Sequence, residues 1–392
     1  MAQALLFKNI QRLYVFAFFR MALIIIPVII PYFKSLGLTM QEVFEIQAVF
    51  ALAVTIFEVP SGYLSDIWGR RRTLIIGSFL SGLGFTMLIF VDDYMGFVFY
   101  EFVLGVAVSL VSGTDISLLY DSVASEDKGQ RVSHTHHMGH FQFSQMLGET
   151  IASLLGGILV LWSYDHVVWA QVLFGWGSFF VALSFVEPDF EKMSNQSHAQ
   201  NFKRVIAVIW NQSQGMRLIF LNLVVWGLAT FFMVWVFQDY WQNEGVALKY
   251  FGYLWAAYNF IVAIVSRFSH WAKAKFSVRT LLVVLGGLPI LGYLGMGAFG
   301  GWVGVTFGVC FQISRGLNQV ILKDAFNTRL ESQYRATANS LVSFLFRMIF
   351  CLLGPAIGYF LDEIGTQWTL YGLAGVFAVL YVMLLLPLAR EF

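Results

Sequence analysis

Twelve long apolar segments constrain this chain more than any other feature of its sequence. The hydrocarbon core of a bilayer requires about 20 mostly apolar residues per helix. Segments of that length lie near Leu13 to Phe33, Val43 to Leu64, Thr73 to Val91, Met95 to Leu119, His140 to Trp162, Val167 to Val186, Leu218 to Tyr240, Tyr250 to Phe268, Thr280 to Phe299, Trp302 to Leu322, Ala336 to Leu361 and Thr369 to Leu388. Hydrophobic residues make up 58% of the chain and charged residues only 12%. We therefore predict an all-α integral membrane protein with 12 transmembrane helices.

The basic residues indicate how these helices are oriented. If the N-terminus lies in the cytoplasm, only Lys34 and Lys249 fall on the outer side, and Arg20, Arg315 and Arg347 fall within the segments. All other lysines and arginines then face the cytoplasm, which is the bias that fixes membrane topology. The sequence thus predicts cytoplasmic N- and C-termini.

A polar interruption from residue 187 to 215 divides the apolar segments six and six. It predicts three parts: a six-helix bundle over residues 1–190, a cytoplasmic linker over 191–215 and a second six-helix bundle over 216–392. Within the linker, apolar residues recur at helical spacing and predict a helix on the inner membrane surface. They are Phe202, Val205, Ile206, Ile209 and Trp210. Gly156 and Gly157 in the first half correspond to Gly354 and Pro355 in the second, which indicates a duplicated bundle.

A short charged turn separates the second and third apolar segments. Between Gly62 and Thr73 it holds three consecutive arginines, one aspartate and two glycines. Five residues of this turn, Gly62, Leu64, Asp66, Gly69 and Arg70, resemble the loop between helices two and three of the major facilitator superfamily of transporters. The resemblance implies pseudo-symmetric six-helix bundles. It also implies that Asp66 and Arg70 form a gating charge cluster with an acid at the inner end of span 4, for which Asp121 is the first candidate and Asp115 the second.

Several charged residues lie inside the apolar segments. A charge at a helix centre costs about 2.5–3.5 kcal/mol on insertion scales, so such residues usually face a cavity or a partner. They are Arg20, Glu58, Glu101, Asp115, Glu149, Arg315 and Arg347. In span 4, Glu101 and Asp115 are predicted to share one helix face because 14 residues make nearly whole turns. The alternative is that these charges are structural pairs between helices, above all Glu58, which precedes Pro60.

The resemblance also assigns places to these charges. Spans 1, 4, 7 and 10 line the central cavity of the family, so Arg20, Glu101, Asp115 and Arg315 are expected there, with Glu149 and Arg347 on flanking helices. Two features depart from the family. Glu101 stands where an arginine often precedes Gly105 by four residues, and span 5 lacks the Gly-Pro pair of many proton-coupled exporters.

Histidines and aromatic residues suggest two further sites. His136, His137 and His140 begin span 5, where a transition-metal site is an alternative to the favoured interpretation, a solvated loop. Aromatic residues of spans 7 and 8 could bind a flat organic molecule by stacking, although plain membrane packing is favoured. They are Trp226, Phe231, Trp235, Tyr240, Tyr258 and Phe260.

These observations favour secondary transport. No phosphate loop is present, and no nucleophile, base and orienting group stand at recognisable spacing, so we expect no enzyme activity and no cofactor. A buried carboxylate that gains and loses a proton can couple transport to a proton gradient. Glu149 and Asp115, then Glu101, are the candidates.

Within the superfamily the chain resembles bacterial exporters of drugs and related organic compounds, and this resemblance implies efflux of a small organic solute by alternating access. Uptake of an anionic metabolite, with Arg20 and Arg315 as anion contacts, and metal-linked transport are the alternatives. The alternative from a different functional class is a channel or a non-transporting membrane receptor on the same scaffold. The expected partners are the solute, protons and lipid, without nucleic acid, for a monomer in a bacterial inner membrane.

Overall fold

The computed structural model describes residues 2–126, 134–187, 209–210 and 213–391, and no strand occurs among them. Up to residue 187 the helices are Ala2–Met21 (α1), Ile29–Ser35 (α2), Met40–Trp68 (α3), Arg70–Met87 (α4), Tyr94–Val111 (α5), Thr114–Glu126 (α6), His134–Leu159 (α7) and Tyr164–Leu183 (α8). From residue 213 they are Gln214–Asn243 (α9), Phe251–Lys275 (α10), Val278–Ala298 (α11), Gly301–Leu317 (α12), Lys323–Thr328 (α13), Ser332–Glu363 (α14), Gly365–Leu380 (α15) and Leu386–Arg390 (α16). Each of the predicted apolar segments lies on one or more of these helices. The all-α prediction is confirmed.

Within the described residues, nine helical stretches are long and apolar enough to cross a membrane. The predicted segments that fall outside this set lie on α4, α7 and α12. The interfacial helix predicted for the linker falls mostly on residues 188–208, which lie outside the described part of the chain.

The chain forms two compact units. Unit 1 contains Met1–Leu38, Glu45–Ser194 and Leu248–Ala256, and unit 2 contains Thr39–Phe44, Asn195–Ala247 and Ala257–Phe392. A core cluster of unit 1 joins side chains from α1, α4, α5, α6, α7 and α8. Its fully buried members include Leu13, Phe16, Leu74, Leu118 and Phe141. This core joins the helices that carry Arg20, Arg70, Glu101, Asp115 and Glu149.

Short polar side chains begin several of the helices. Asp93 accepts a hydrogen bond from the Gly96 amide (2.9 Å) at the start of α5, and Ser277 accepts one from the Thr280 amide (3.1 Å) at the start of α11. Such caps satisfy amides that have no partner within the helix. Local sequence therefore determines where these helices start.

Two of the predicted spans are interrupted inside the apolar region. Span 1 leaves the α-helix at Met21, and Pro27, which lacks an amide hydrogen, follows before α2 begins. Span 4 breaks between α5 and α6 at Ser112 and Gly113. Gly113 has a φ of 81°, in the left-handed region that glycine tolerates best. The prediction of one continuous helix from Met95 to Leu119 is therefore wrong, and the common helical face inferred for Glu101 and Asp115 no longer follows.

Candidate functional site

An ion pair joins the two helix breaks of unit 1. Arg20 lies in the last turn of α1 and Asp115 in the first turn of α6, and Nη1 of Arg20 contacts Oδ2 of Asp115. Each charge is favoured by the helix end that carries it, because a helix C-terminus attracts cations and an N-terminus attracts anions. Asp115 also accepts a hydrogen bond from the Ile116 amide through Oδ1 (2.8 Å). The interruption of both spans thus creates a buried place for a pair of opposite charges.

The two members of this pair differ in exposure. The Asp115 side chain is 1% exposed, whereas the Arg20 side chain is 26% exposed. A guanidinium carries five N–H donors and presents them in a planar fork. Arg20 can therefore keep its contact with Asp115 and still offer donors to a solute.

Glu101 forms a second buried polar contact in unit 1, on α5. Its Oε1 accepts a hydrogen bond from Nε2 of Gln47 on α3 (2.9 Å), and both residues are about 95% buried. No ion pair of Glu101 occurs among the described residues. An amide donor serves either a carboxylate or a carboxylic acid, so this arrangement can hold both protonation states.

The other predicted intramembrane charges are divided between the two units. Glu58 on α3 and Glu149 on α7 belong to unit 1, whereas Arg315 on α12 and Arg347 on α14 belong to unit 2. All four are half-buried. Arg315 lies in the last turn of α12, immediately before a π-helical turn that covers Asn318–Leu322. Turns of this kind interrupt a helix and often occur at functional sites.

The charged turn places Arg70 between two acids. Its Nη1 lies 2.5 Å from Oδ1 of Asp66 and 3.1 Å from Oγ of Ser65, and its Nε lies 3.4 Å from Oδ2 of Asp121. Gly69 makes the turn possible with a φ of 98°. The structure thus brings together Asp66, Arg70 and Asp121, whereas Asp115 pairs with Arg20 and does not belong to this cluster. Gly62 lies in α3, one turn before Asp66.

Glu187 completes this turn from the end of α8. Its two carboxylate oxygens accept hydrogen bonds from the amides of Arg70 (2.6 Å) and Arg71 (2.8 Å). The carboxylate thereby caps the N-terminus of α4, where a negative charge is stabilised by the helix dipole. Sequence reasoning missed this role, although one signal was present: Gly69 has no side chain that could cap α4 itself.

Asn9 holds the segment that carries Glu187. This fully buried side chain donates to the carbonyl oxygen of Val186 (2.7 Å) and accepts from the Val186 amide (3.0 Å). Its Nδ2 also lies 3.4 Å from Oγ of Ser122 on α6. Asn9 therefore fixes the chain end of α8 against α1 and α6, and sequence reasoning missed it as well.

Unit 2 contains a buried acid that sequence reasoning did not single out. Asp239, near the end of α9, is 2% exposed. Its Oδ2 lies 3.0 Å from Nδ2 of Asn243 and 3.4 Å from Oγ1 of Thr366. Its closeness to the end of the apolar segment made it resemble an ordinary interfacial charge.

The aromatic residues of spans 7 and 8 separate into two groups. Trp226, Tyr240 and Tyr258 are buried and donate to fixed acceptors within unit 2, so they serve packing. Phe260 is 66% exposed, as expected of a lipid-facing side chain. By contrast, Phe231 on α9 is half-buried and lies beside other aromatic rings.

Phe231 is the centre of a small aromatic cluster. Its ring centroid lies 5.1 Å from that of Phe346, 5.0 Å from that of Phe350 and 6.4 Å from that of Trp235. Gly227, one turn before Phe231, has no side chain, and a Cβ there would lie 3.3 Å from the ring of Phe346. Aromatic rings therefore pack closely along this face of α9.

The histidines at the start of α7 do not form a single set. Nε2 of His136 and Nε2 of His140 lie 3.2 Å apart, whereas Nδ1 of His137 lies 2.7 Å from the hydroxyl oxygen of Tyr14 on α1. Within the described residues, no group of three or more His, Cys, Asp or Glu side chains could hold a metal ion. The structure thus brings His136 and His140 together and directs His137 to Tyr14, and metal binding by these histidines stays a prediction.

Comparison with known proteins identifies a family that has this architecture. A family model for the Major Facilitator Superfamily matches residues 13–355. The structure of the nucleoside transporter NupG superposes with a TM-score of 0.79 at 12% identity, over 98% of this chain and 99% of that chain. At this identity the likeness shows the fold alone.

Two relatives illustrate the range of sequence similarity. An uncharacterized MFS-type transporter of Methanocaldococcus jannaschii is 31% identical over 34% of this chain, and the match spans only 33% of that protein. The bicyclomycin resistance protein homolog of Haemophilus influenzae is 24% identical over 83% of this chain and 81% of that protein. The family model covers most of the chain. The apolar helices of the described residues agree with the multi-pass architecture of that family. The chain therefore belongs to the major facilitator superfamily, as a multi-pass integral membrane transporter of a small solute.

Proposed function

We propose that this transporter exports a small amphiphilic organic solute in exchange for protons, with the buried carboxylates of unit 1 as the proton-binding groups. The observation that carries the proposal is the contact of Arg20 with Asp115 at the two helix breaks. Burial disfavours an ionised carboxylate, and an adjacent cation favours it. Arg20 in contact with Asp115 would keep the carboxylate ionised while the solute is bound, and withdrawal of Arg20 after the solute has left would promote proton binding there, so that solute and proton occupy the site in turn.

Glu101 is the second proposed proton-binding group, and its partner carries no charge. Its partner Gln47 is neutral and tolerates both protonation states of the carboxyl group. Of the three candidates, Glu101 and Asp115 are buried whereas Glu149 is half-buried, so we rank them above Glu149.

The aromatic cluster around Phe231 supports an organic solute with an apolar ring or chain. Flat apolar groups pack favourably against aromatic faces and edges at the centroid distances observed here. Efflux is further supported by the bicyclomycin resistance protein homolog, a relative matched over most of its length.

The test is transport by purified protein in liposomes with an imposed pH gradient. Bicyclomycin, a nucleoside and a panel of amphiphilic drugs are screened first by thermal shift, because a ligand that prefers the folded protein raises its melting temperature. Compounds that bind are then assayed for flux. Saturable flux driven by the gradient supports the proposal, whereas flux that is indifferent to the gradient for every binding compound contradicts proton coupling.

Uptake of an anionic metabolite is the second candidate, favoured by the 26% exposure of Arg20 and the half-buried position of Arg315. Arginine is well suited to carboxylate and phosphate groups because of its fork of donors. Charge reversal by Arg315→Glu separates the two functions. It should abolish uptake of an anion and spare the efflux of a cationic or neutral solute.

A further inference from the structure

Two histidines lie one helical turn apart at the start of α7. His136 and His140 are both exposed, and their Nε2 atoms lie 3.2 Å apart. Their ring centroids are 4.5 Å apart with an interplanar angle of 77°. The two nitrogens therefore lie next to each other beside the helix.

This separation suits two ligands of one metal ion. Zinc binds imidazole nitrogen at about 2.0–2.1 Å, so two ligands at angles between 90° and the tetrahedral value have their nitrogens about 2.9–3.3 Å apart. The observed distance falls within this interval. A metal ion could thus bind both Nε2 atoms without a change of backbone, after replacing the hydrogen bond between the rings.

Neighbouring residues hold one of the two rings in place. The Tyr14 ring lies 5.7 Å from the His140 ring, and the Tyr14 hydroxyl is in hydrogen-bond contact with Nδ1 of His137. Tyr14 on α1 thereby ties the first turn of α7 to α1. His137 is directed to this contact, so it acts as a positioning residue, not as a ligand.

We propose that His136 and His140 form a two-histidine binding site for a divalent transition-metal ion such as Zn²⁺ or Ni²⁺. Water completes the coordination, since no larger group of ligating side chains occurs within the described residues. Imidazole ligands select these ions over Mg²⁺ and Ca²⁺, which prefer oxygen. The site is independent of the proposed transport mechanism and can be present whether or not protons drive the flux.

The test is isothermal titration of ZnCl₂ and NiCl₂ into the purified full chain after complete removal of any histidine tag. We expect one ion per chain for the wild type. Loss of a metal's supporting groups weakens binding by about 10–100-fold, and loss of a direct ligand should cost at least as much. His136→Ala and His140→Ala should each show this loss, and MgCl₂ should give no binding heat.

The matched control is His166→Ala, which removes an exposed histidine of α8 whose Nδ1 lies 2.8 Å from Oγ of Ser163. This control should bind Zn²⁺ as the wild type does. Melting curves without metal should coincide for all variants, because both ligand side chains are exposed. Equal Zn²⁺ affinity of the wild type and the double variant His136→Ala, His140→Ala would overturn the proposal, as would an equal loss in His166→Ala.

Discussion

Replacing Glu187 with glutamine should uncap α4 while leaving the rest of unit 1 folded. The carboxylate accepts two amide hydrogen bonds, from Arg70 and Arg71. Glutamine retains one acceptor oxygen but turns an NH₂ group toward the other amide, so at least one charge-assisted bond is lost. Hydrogen bonds to charged groups contribute about 1.5–3 kcal/mol.

Partial exposure of Glu187 places the expected loss toward the lower part of that range, about 1.5–2.5 kcal/mol. Since about 1.4 kcal/mol corresponds to a tenfold change in an equilibrium constant, the first amides of α4 should exchange about 10–60 times faster with solvent. Hydrogen exchange followed by mass spectrometry on peptides covering residues 66–76 measures this directly.

Asp93→Asn is the matched control, because it makes the same acid-to-amide change at the N-terminus of α5. Asparagine caps a helix as well as aspartate does, so exchange at Gly96 should change little. Unchanged protection of the Arg70 and Arg71 amides in Glu187→Gln would refute the capping argument.

Two further predictions concern stability. Gly69→Ala should destabilise the protein by about 1–2 kcal/mol, because the left-handed conformation is unfavourable for other residues and a Cβ would lie 2.8 Å from the Glu187 carboxylate. Gly62→Ala, where a Cβ meets nothing within 4 Å, should be neutral or stabilising, and equal melting temperatures for the two variants would count against the argument. Arg20→Ala should cost about 3–5 kcal/mol because it leaves Asp115 as a buried charge without its ion pair. The double variant Arg20→Ala, Asp115→Ala should cost less than the sum of the single variants in the same melting assay, and strict additivity would contradict direct coupling.

The local features of this chain could be predicted from its sequence. The apolar segments all lie on helices, because span length and composition are properties of consecutive residues. The contact of Asp66 with Arg70 was also expected, since the two residues are four positions apart in the charged turn, and the family resemblance added Asp121 to this cluster. These predictions required no knowledge of long-range packing.

The remaining features could not be predicted, because they depend on how distant parts of the chain pack together. Hydropathy is insensitive to helix continuity, so it did not reveal the break at Gly113, where the left-handed backbone starts a new helix with Asp115 at its N-terminus. Glu187 reaches amides more than 110 residues earlier, and Asn9 binds a peptide group 177 residues later. Such pairings arise from tertiary packing, and neither partner carries a local pattern that identifies the other.

Proton coupling through unit 1 is tested most directly by the response of Glu101→Gln to two transport assays. Glutamine preserves the size of the side chain and can still accept a hydrogen bond from Gln47, but it cannot bind a proton. With a solute that the wild type transports, the variant should retain counterflow exchange and lose accumulation driven by a pH gradient, and Asp115→Asn should lose that accumulation as well. Gradient-driven accumulation at the wild-type rate in both variants would contradict the mechanism.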